Sequence, residues 1–522
     1  MLRVWIAGVL GSVALFSASD IAAKKPVLPA APATSVTRPA AANPATAPEK
    51  IRSLEGIDEY ALPNGLHVLM LPDASKPTTT VNLVVKVGSR MENYGETGMA
   101  HLLEHMMFRG TPTFRDPKTE FTRRGMHWNG TTSFDRTNYF ASFSQNDADL
   151  DFYLHWLADA LVNSFVARKD LDSEMTVVRN EMESGENSPS RILYQRLLAA
   201  AYDWHNYGKD VIGARADVEN VSIPHLQAFY HRYYQPDNAA LIVTGKFDEA
   251  KTLAIIAQTF GRIPRPQRVI EPTYTLDPAQ DGERDVVLRR IGESPLLVAG
   301  YHIPAGAAAD YPAIELAALI FGGPNLRLHK ALVDTHLAAE IFGDTVDSAE
   351  PGLALFGAEL TSGHSIDTAR EALMAAIEGT PAKPRAPFTQ EELDRAKNIW
   401  LRSFDQTFSD PQRVGVALSE YVAIGDWRLA FLRRDRVREM KLDELNRFAE
   451  RYLIQSNRTL ATFVPTAAPV RPPAPERVDA AAVLKDFKGS AAVAQGEVFD
   501  ASPENIDKRT VIGVGSPSIC HF

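Results

Sequence analysis

From residue 51 onward the apolar positions of this chain recur with the periods of regular structure. Leu62-Pro63-Asn64-Gly65-Leu66 sets an Asn-Gly pair between two apolar stretches, a hairpin signal because both residues tolerate a positive φ. Residues 81–87 alternate as a strand. A helix through His101-Leu102-Leu103-Glu104-His105 follows, expected to close near Gly110. Within residues 172–187, Glu174, Val177, Val178 and Glu181 fall at i, i+3, i+4 and i+7, a single helical stripe. Glu183 lies about 180° around the same helix from Glu174, at roughly 100° per residue.

The chain also matches itself. Leu226, Phe229, Arg232, Tyr233 and Asn238 recur as Leu445, Phe448, Arg451, Tyr452 and Asn457, at a constant offset (445 − 226 = 219, 457 − 238 = 219). In both copies a helical stretch runs into a short β-rich segment, 239–244 and 459–464. Duplication explains this pattern, and 522 residues are too many for one compact core. The expected fold class is α+β: two duplicated α/β-sandwich domains at 51–270 and 278–466. They meet in the Pro-rich stretch 263–278, and 467–522 reads as a linker-like tail without amphipathic period.

The N-terminus adds a destination. Arg3 precedes a nearly unbroken apolar run over 4–18, followed by small residues up to Ala23, the order of a secretory signal peptide. The run is shorter than the roughly 20 residues a membrane span requires, so no span is expected after cleavage. Residues 24–50 form a Pro/Ala-rich spacer. Cys520 is the single cysteine, which leaves no intrachain disulfide and suits an exported, bacterial periplasmic protein stabilised by burial. A net charge of -10 argues against a nucleic-acid partner.

The chemistry concentrates in one segment. His101 and His105 are four residues apart, so their imidazoles leave one face of a helix one turn apart, the spacing for two ligands of one tetrahedral Zn²⁺. Glu104 lies beside them, able to reach a metal-bound water as general base. A third ligand must come from another element. The aligned pair Glu174 and Glu181 could supply it, or could equally be a solvated acidic face. His127, His155, His205, His231 and His336 lack partners at ligand spacing and read as structural. Leu102, Leu103, Met99, Met106 and Met107 read as core.

His101-x-x-Glu104-His105 resembles the inverted zinc motif of the pitrilysin/insulinase family, the inverzincins. Gly98-Met99-Ala100, Phe108-Arg109-Gly110-Thr111, Asn129-Gly130-Thr131-Thr132 and Asp135-Arg136-Thr137-Asn138-Tyr139 agree with it, over roughly residues 51–464. The resemblance implies that Glu181 is the third ligand (181 − 105 = 76) and Glu174 an acid supporting the site (181 − 174 = 7). It implies one zinc per chain, and a clamshell half of the pitrilysin/processing-peptidase type. The stretch 128–139 would form an exposed strand that takes substrate as an added strand. Asn129 and Thr131 are the candidate substrate contacts there, with a turn-forming role for Asn129 equally open.

The second repeat has no such motif. The family also uses an Arg and a Tyr seven residues apart, but the matching region 322–343 offers only Arg327 with Asp334, Val333 with Glu340, or Leu332 with Ala339. The resemblance therefore implies the zinc-bearing half of a two-half enzyme, completed by a homologous partner subunit or a second copy. The expected activity is a zinc endopeptidase acting on extended peptides or small unfolded proteins. The alternative is a non-catalytic assembly subunit, or a half that is inactive by itself.

Overall fold

A computed structural model describes residues 47–490, 496 and 498–511. The segment read as a signal peptide, most of the expected spacer and Cys520 lie outside these. The chain divides into a large unit ending at Pro469 and a second unit beginning at Val470.

In the large unit, β1 (Glu49–Leu54), β2 (Ile57–Ala61), β3 (His67–Pro72), β4 (Thr78–Val85), β5 (His127–Thr132), β6 (Thr137–Ser144) and β7 (Ala239–Gly245) form one sheet. Its order is β1-β2-β3-β7-β4-β6-β5, antiparallel except where β3 meets β7. The Asn-Gly turn joins β2 to β3, with Gly65 at φ 97° and the Leu62 amide donating to the Leu66 carbonyl. A second sheet contains β8 (Arg284–Arg290), β9 (Leu296–Ile303), β10 (Ala338–Thr345) and β11 (Gly352–Leu360). A small ribbon pairs β12 (Gly379–Thr380) with β13 (Lys383–Pro384), and β14 (Arg458–Pro465) completes the second sheet in the order β10-β11-β9-β14-β8. That order repeats β5-β6-β4-β7-β3, and its single parallel pair, β14 with β8, stands where β7 pairs with β3. The second sheet lacks only the β1–β2 extension.

The helices repeat as well. The principal ones are α1 (Met99–Met107), α2 (Asp147–Asn163), α3 (Arg168–Glu186), α4 (Pro189–Ala201), α5 (Ile223–Tyr233), α6 (Tyr311–Gly322), α7 (Gln390–Phe408), α8 (Pro411–Ala423), α9 (Leu429–Glu439) and α10 (Leu442–Tyr452). The pairs α3/α7 and α4/α8 are offset by 222 residues (390 − 168, 411 − 189), and α5/α10 by 219 (442 − 223).

Each half covers a face of the other half's sheet. One face of the first sheet packs on α1, α2 and α5, around Leu83, Met106, Trp156 and Leu226. Its other face receives α8, whose Val414, Leu418 and Val422 bury against Val84, Ala240 and Ile242. Asn82 donates to the Gly415 carbonyl at 3.0 Å. Reciprocally, α4 lays Leu193 and Leu197 on Val298, Leu355 and Phe463 of the second sheet. Arg284 and His302 of the second half bond the last carbonyls of α4. This corrects the alternation expected for residues 81–87: β4 is buried from Thr79 to Val85 because helices cover both its faces. Among the described residues no helix is long and apolar enough to cross a membrane.

Among its described residues the second unit contains two short helices, Ala480–Leu484 and Pro503–Arg509, and no buried side chain.

Candidate active site

Helix α1 is pinned where it begins. The Glu92 carboxylate is buried and accepts hydrogen bonds from the Gly98 and Ala100 amides, both at 2.9 Å. These are donors that a helix N-terminus cannot satisfy internally. Burial pushes the Glu92 carboxyl up to about 8 against the pull of those two amides. Gly98 takes φ 91°, and a Cβ there would stand 2.7 Å from the Ile212 carbonyl oxygen and from Val218 Cγ2. The helix closes at Met107, earlier than the Gly110 expected, and Gly110 adopts φ 108° just beyond it.

Met99, Ala100, Leu102, Leu103, Met106 and Met107 bury into the core, which leaves His101, Glu104 and His105 on the remaining face. Facing them is α3. Its Glu181 Oε2 lies 3.5 Å from His101 Nε2 and 3.6 Å from His105 Nε2. The three potential ligand atoms all fall within 4.8 Å of one another. Two turns earlier, Glu174 Oε2 is 3.3 Å from His105 Nδ1, while its Oε1 accepts from Arg109 at 2.9 Å and Lys118 at 3.4 Å. Glu183 is more than half exposed and turns toward Arg215. His101, Glu104, His105, Glu174 and Glu181 thus lie together, and Glu183 does not.

The electrostatics are those of a cluster with more carboxylate than cation. Burial, then the neighbouring His105 charge, holds His101 down to about 3. Burial alone would also lower His105, but its hydrogen bond to Glu174 and the neighbouring Glu181 and Glu104 carboxylates outweigh this and raise it to about 10. Glu174 resists its own burial through His105, Lys118 and Arg109 and is held near 2. Glu181 is lowered by the same imidazoles against its burial, whereas burial raises Glu104. Glu181 Oε2 is buried and accepts no hydrogen bond, and His101 Nδ1 is buried without a partner among the described residues. An acceptor oxygen aimed at two ring nitrogens but bonded to neither fits a set of groups awaiting a cation. Two imidazoles and one carboxylate are a ligand set for Zn²⁺ with one position left open.

Glu104 lies against β5, the last strand of its sheet, whose outer edge has no partner strand among the described residues. Thr132 Oγ1 donates to Glu104 Oε2 at 2.6 Å. Gly130 sits beside it, where a Cβ would stand 2.9 Å from Glu104 Cγ. Because side chains alternate along a strand, Asn129 and Thr131 point to the other face. The Thr131 hydroxyl is already engaged there, donating to Asn138 and accepting from Arg136 Nη1 at 2.9 Å. Arg136 continues to Glu420 on α8. Sequence reading missed Thr132, Gly130 and Glu92. The alternation along β5 held the signal for the first two.

Arg327 is committed elsewhere. It makes a two-pronged pair with Glu392 at 2.7 and 2.8 Å and stacks on Phe388.

Residues 67–215, which hold every residue of this cluster, match the family described as Insulinase (Peptidase family M16), and residues 220–399 match the Peptidase M16 inactive domain. The chain belongs to the insulinase family, M16. It is 29% identical over 423 residues to the zinc protease PqqE of Helicobacter pylori, covering 78% of this chain and 93% of that one. It is similar to the crystal structure of a Helicobacter pylori protease with a TM-score of 0.73 and 27% identity, over 79% of this chain and 100% of that one. The first half of the periplasmic protease PqqL from Escherichia coli shares the fold (TM-score 0.65, 19% identity, 81% and 94% coverage). In the whole PqqL chain the match covers 87% of this chain and 53% of that one, so this chain spans about half of that relative.

Proposed function

We propose that this member of the M16 family is an exported zinc endopeptidase, with His101, His105 and Glu181 as metal ligands and Glu104 as general base. The observation that carries the reading is the meeting of two imidazole nitrogens around the unbonded Glu181 oxygen, with a half-buried Glu104 beside them. Zinc bound there would supply Lewis acidity, polarising the scissile carbonyl and making water acidic enough to attack it. Glu104 takes the proton from the attacking water and returns it to the leaving amine, so the peptide bond is hydrolysed with no net change in the protein. Burial favours this role because it raises the Glu104 carboxyl and makes it a stronger base. His105 is oriented by Glu174, whose second oxygen is anchored by Arg109 and Lys118.

The free edge of β5 offers backbone groups to an extended peptide, which suits a substrate class of extended peptides or small unfolded proteins. A homologous partner subunit or second copy would complete the substrate clamp. Residues 322–343 contribute no Arg/Tyr pair, and the single arginine there is spent on Glu392. An N-terminal apolar run and a relative described as periplasmic support export to a bacterial periplasm.

Glu104→Gln is the decisive variant. It should retain zinc at one per chain while peptide cleavage falls about 100-fold or more. Cleavage by that variant at the wild-type rate would remove Glu104 from the reaction, whereas no cleavage by either protein would favour the non-catalytic assembly role left open by the inactive-domain match of residues 220–399.

A further inference from the structure

We infer that Thr132 is a positioning residue for Glu104, holding one carboxylate oxygen so that the other faces the reacting water. The inference rests on the role proposed above for Glu104. Thr132 is 8% exposed, and its hydroxyl donates to Glu104 Oε2 at 2.6 Å, within the range of a charge-assisted O–H···O⁻ bond. A hydroxyl has one proton to give, so this bond fixes both its own rotor and the carboxylate. Threonine is stiff at χ1, and as part of a paired strand it cannot follow a wandering base. Two residues earlier, Gly130 lacks the Cβ that would press on Glu104 Cγ, so the side chain can approach β5 closely.

The consequence is that base and substrate share one reference. Glu104 takes its position from the strand whose outer edge is free. On the opposite face, Arg136 ties the same hairpin to Glu420 of α8, so the second half steadies the strand that steadies the base. Thr131, despite its matching chemistry, serves that second anchorage.

The test compares Thr132→Val, which keeps the shape and removes the hydroxyl, with Thr132→Ser, which keeps the hydroxyl. Crystal structures of the zinc-loaded full-length variants should show the Glu104 carboxylate displaced from β5 in the valine protein and in place in the serine protein. With an extended peptide, the valine variant should lose about 100-fold in kcat with KM and zinc content unchanged, and serine should recover most of it. An unmoved Glu104 in the valine structure overturns the inference, as does a serine variant as slow as valine. If the wild-type chain and Glu104→Gln cleave alike, the proposed function fails, and the crystallographic comparison still decides the role of Thr132.

Discussion

Glu174 lies outside the proposed ligand set, yet it touches one of its members, His105. Its Oε2 sets the ring of His105, and its Oε1 is held by two cations that keep it ionised. A carboxylate behind a ligating imidazole fixes the tautomer and raises basicity, and its loss typically costs about 10–100-fold in metal affinity. Glu174→Gln should therefore weaken zinc binding by that factor in competition with a chromophoric chelator. Glu183→Gln, on the exposed side of α3, should leave it unchanged. At this scale the sequence was legible for helices: the spacing 174/181 and 101/105 placed side chains on common faces. It was not legible for β5, where Thr131 and Thr132 carry the same hydroxyl and only the orientation of the strand tells them apart.

Among the elements, α1 depends most on how it is entered. Gly98 and Gly95 both occupy positive φ, at 91° and 79°, but only Gly98 is enclosed. Alanine at either position incurs the left-handed backbone penalty of about 1–2 kcal/mol. At Gly98 the new methyl also meets Ile212 and Val218, and overpacking of that kind costs about 1–3 kcal/mol more. Urea unfolding should accordingly show Gly98→Ala less stable than Gly95→Ala, with Gly98→Ala also losing zinc affinity as α1 shifts. Equal stabilities would mean that the Gly98 turn can yield without moving the helix. The hairpin, α1 and α3 were all foreseen from periodicity because each is specified within a dozen residues. The depth of β4 was not, since its second cover, α8, lies over 300 residues away along the chain.

The whole molecule is held by exchange between its halves. Trp427, just before α9, donates its indole N–H to Glu59 of β2 at 2.9 Å; His67 hydrogen-bonds the same carboxylate and Arg52 forms an ion pair with it. Burial would raise Glu59, but His67, Trp427 and Arg52 together hold it below its ordinary 4.5. A carboxylate with a depressed folded-state pKa releases its proton more readily when folded. Its contribution is fully present above 4.5 and disappears as pH falls through the folded value. Thermal unfolding followed from about pH 7 to about pH 3 should show a loss that Glu59→Gln reduces. An identical acid slope in both proteins would place the sensitivity elsewhere.

What the amino-acid sequence determined by itself was local and periodic: the His pair with Glu104 beside it, the acids seven apart, the Asn-Gly hairpin, and the offset between the two matching halves. Helical and strand periods dictate which neighbours share a face, and that requires no knowledge of the rest of the chain. Only the tertiary structure decided that α3 stands across from α1 at bonding distance, that Thr132 rather than Thr131 holds Glu104, and that each half roofs the other's sheet. Those are pairings between distant segments, chosen by which apolar faces remain uncovered once the local elements have formed.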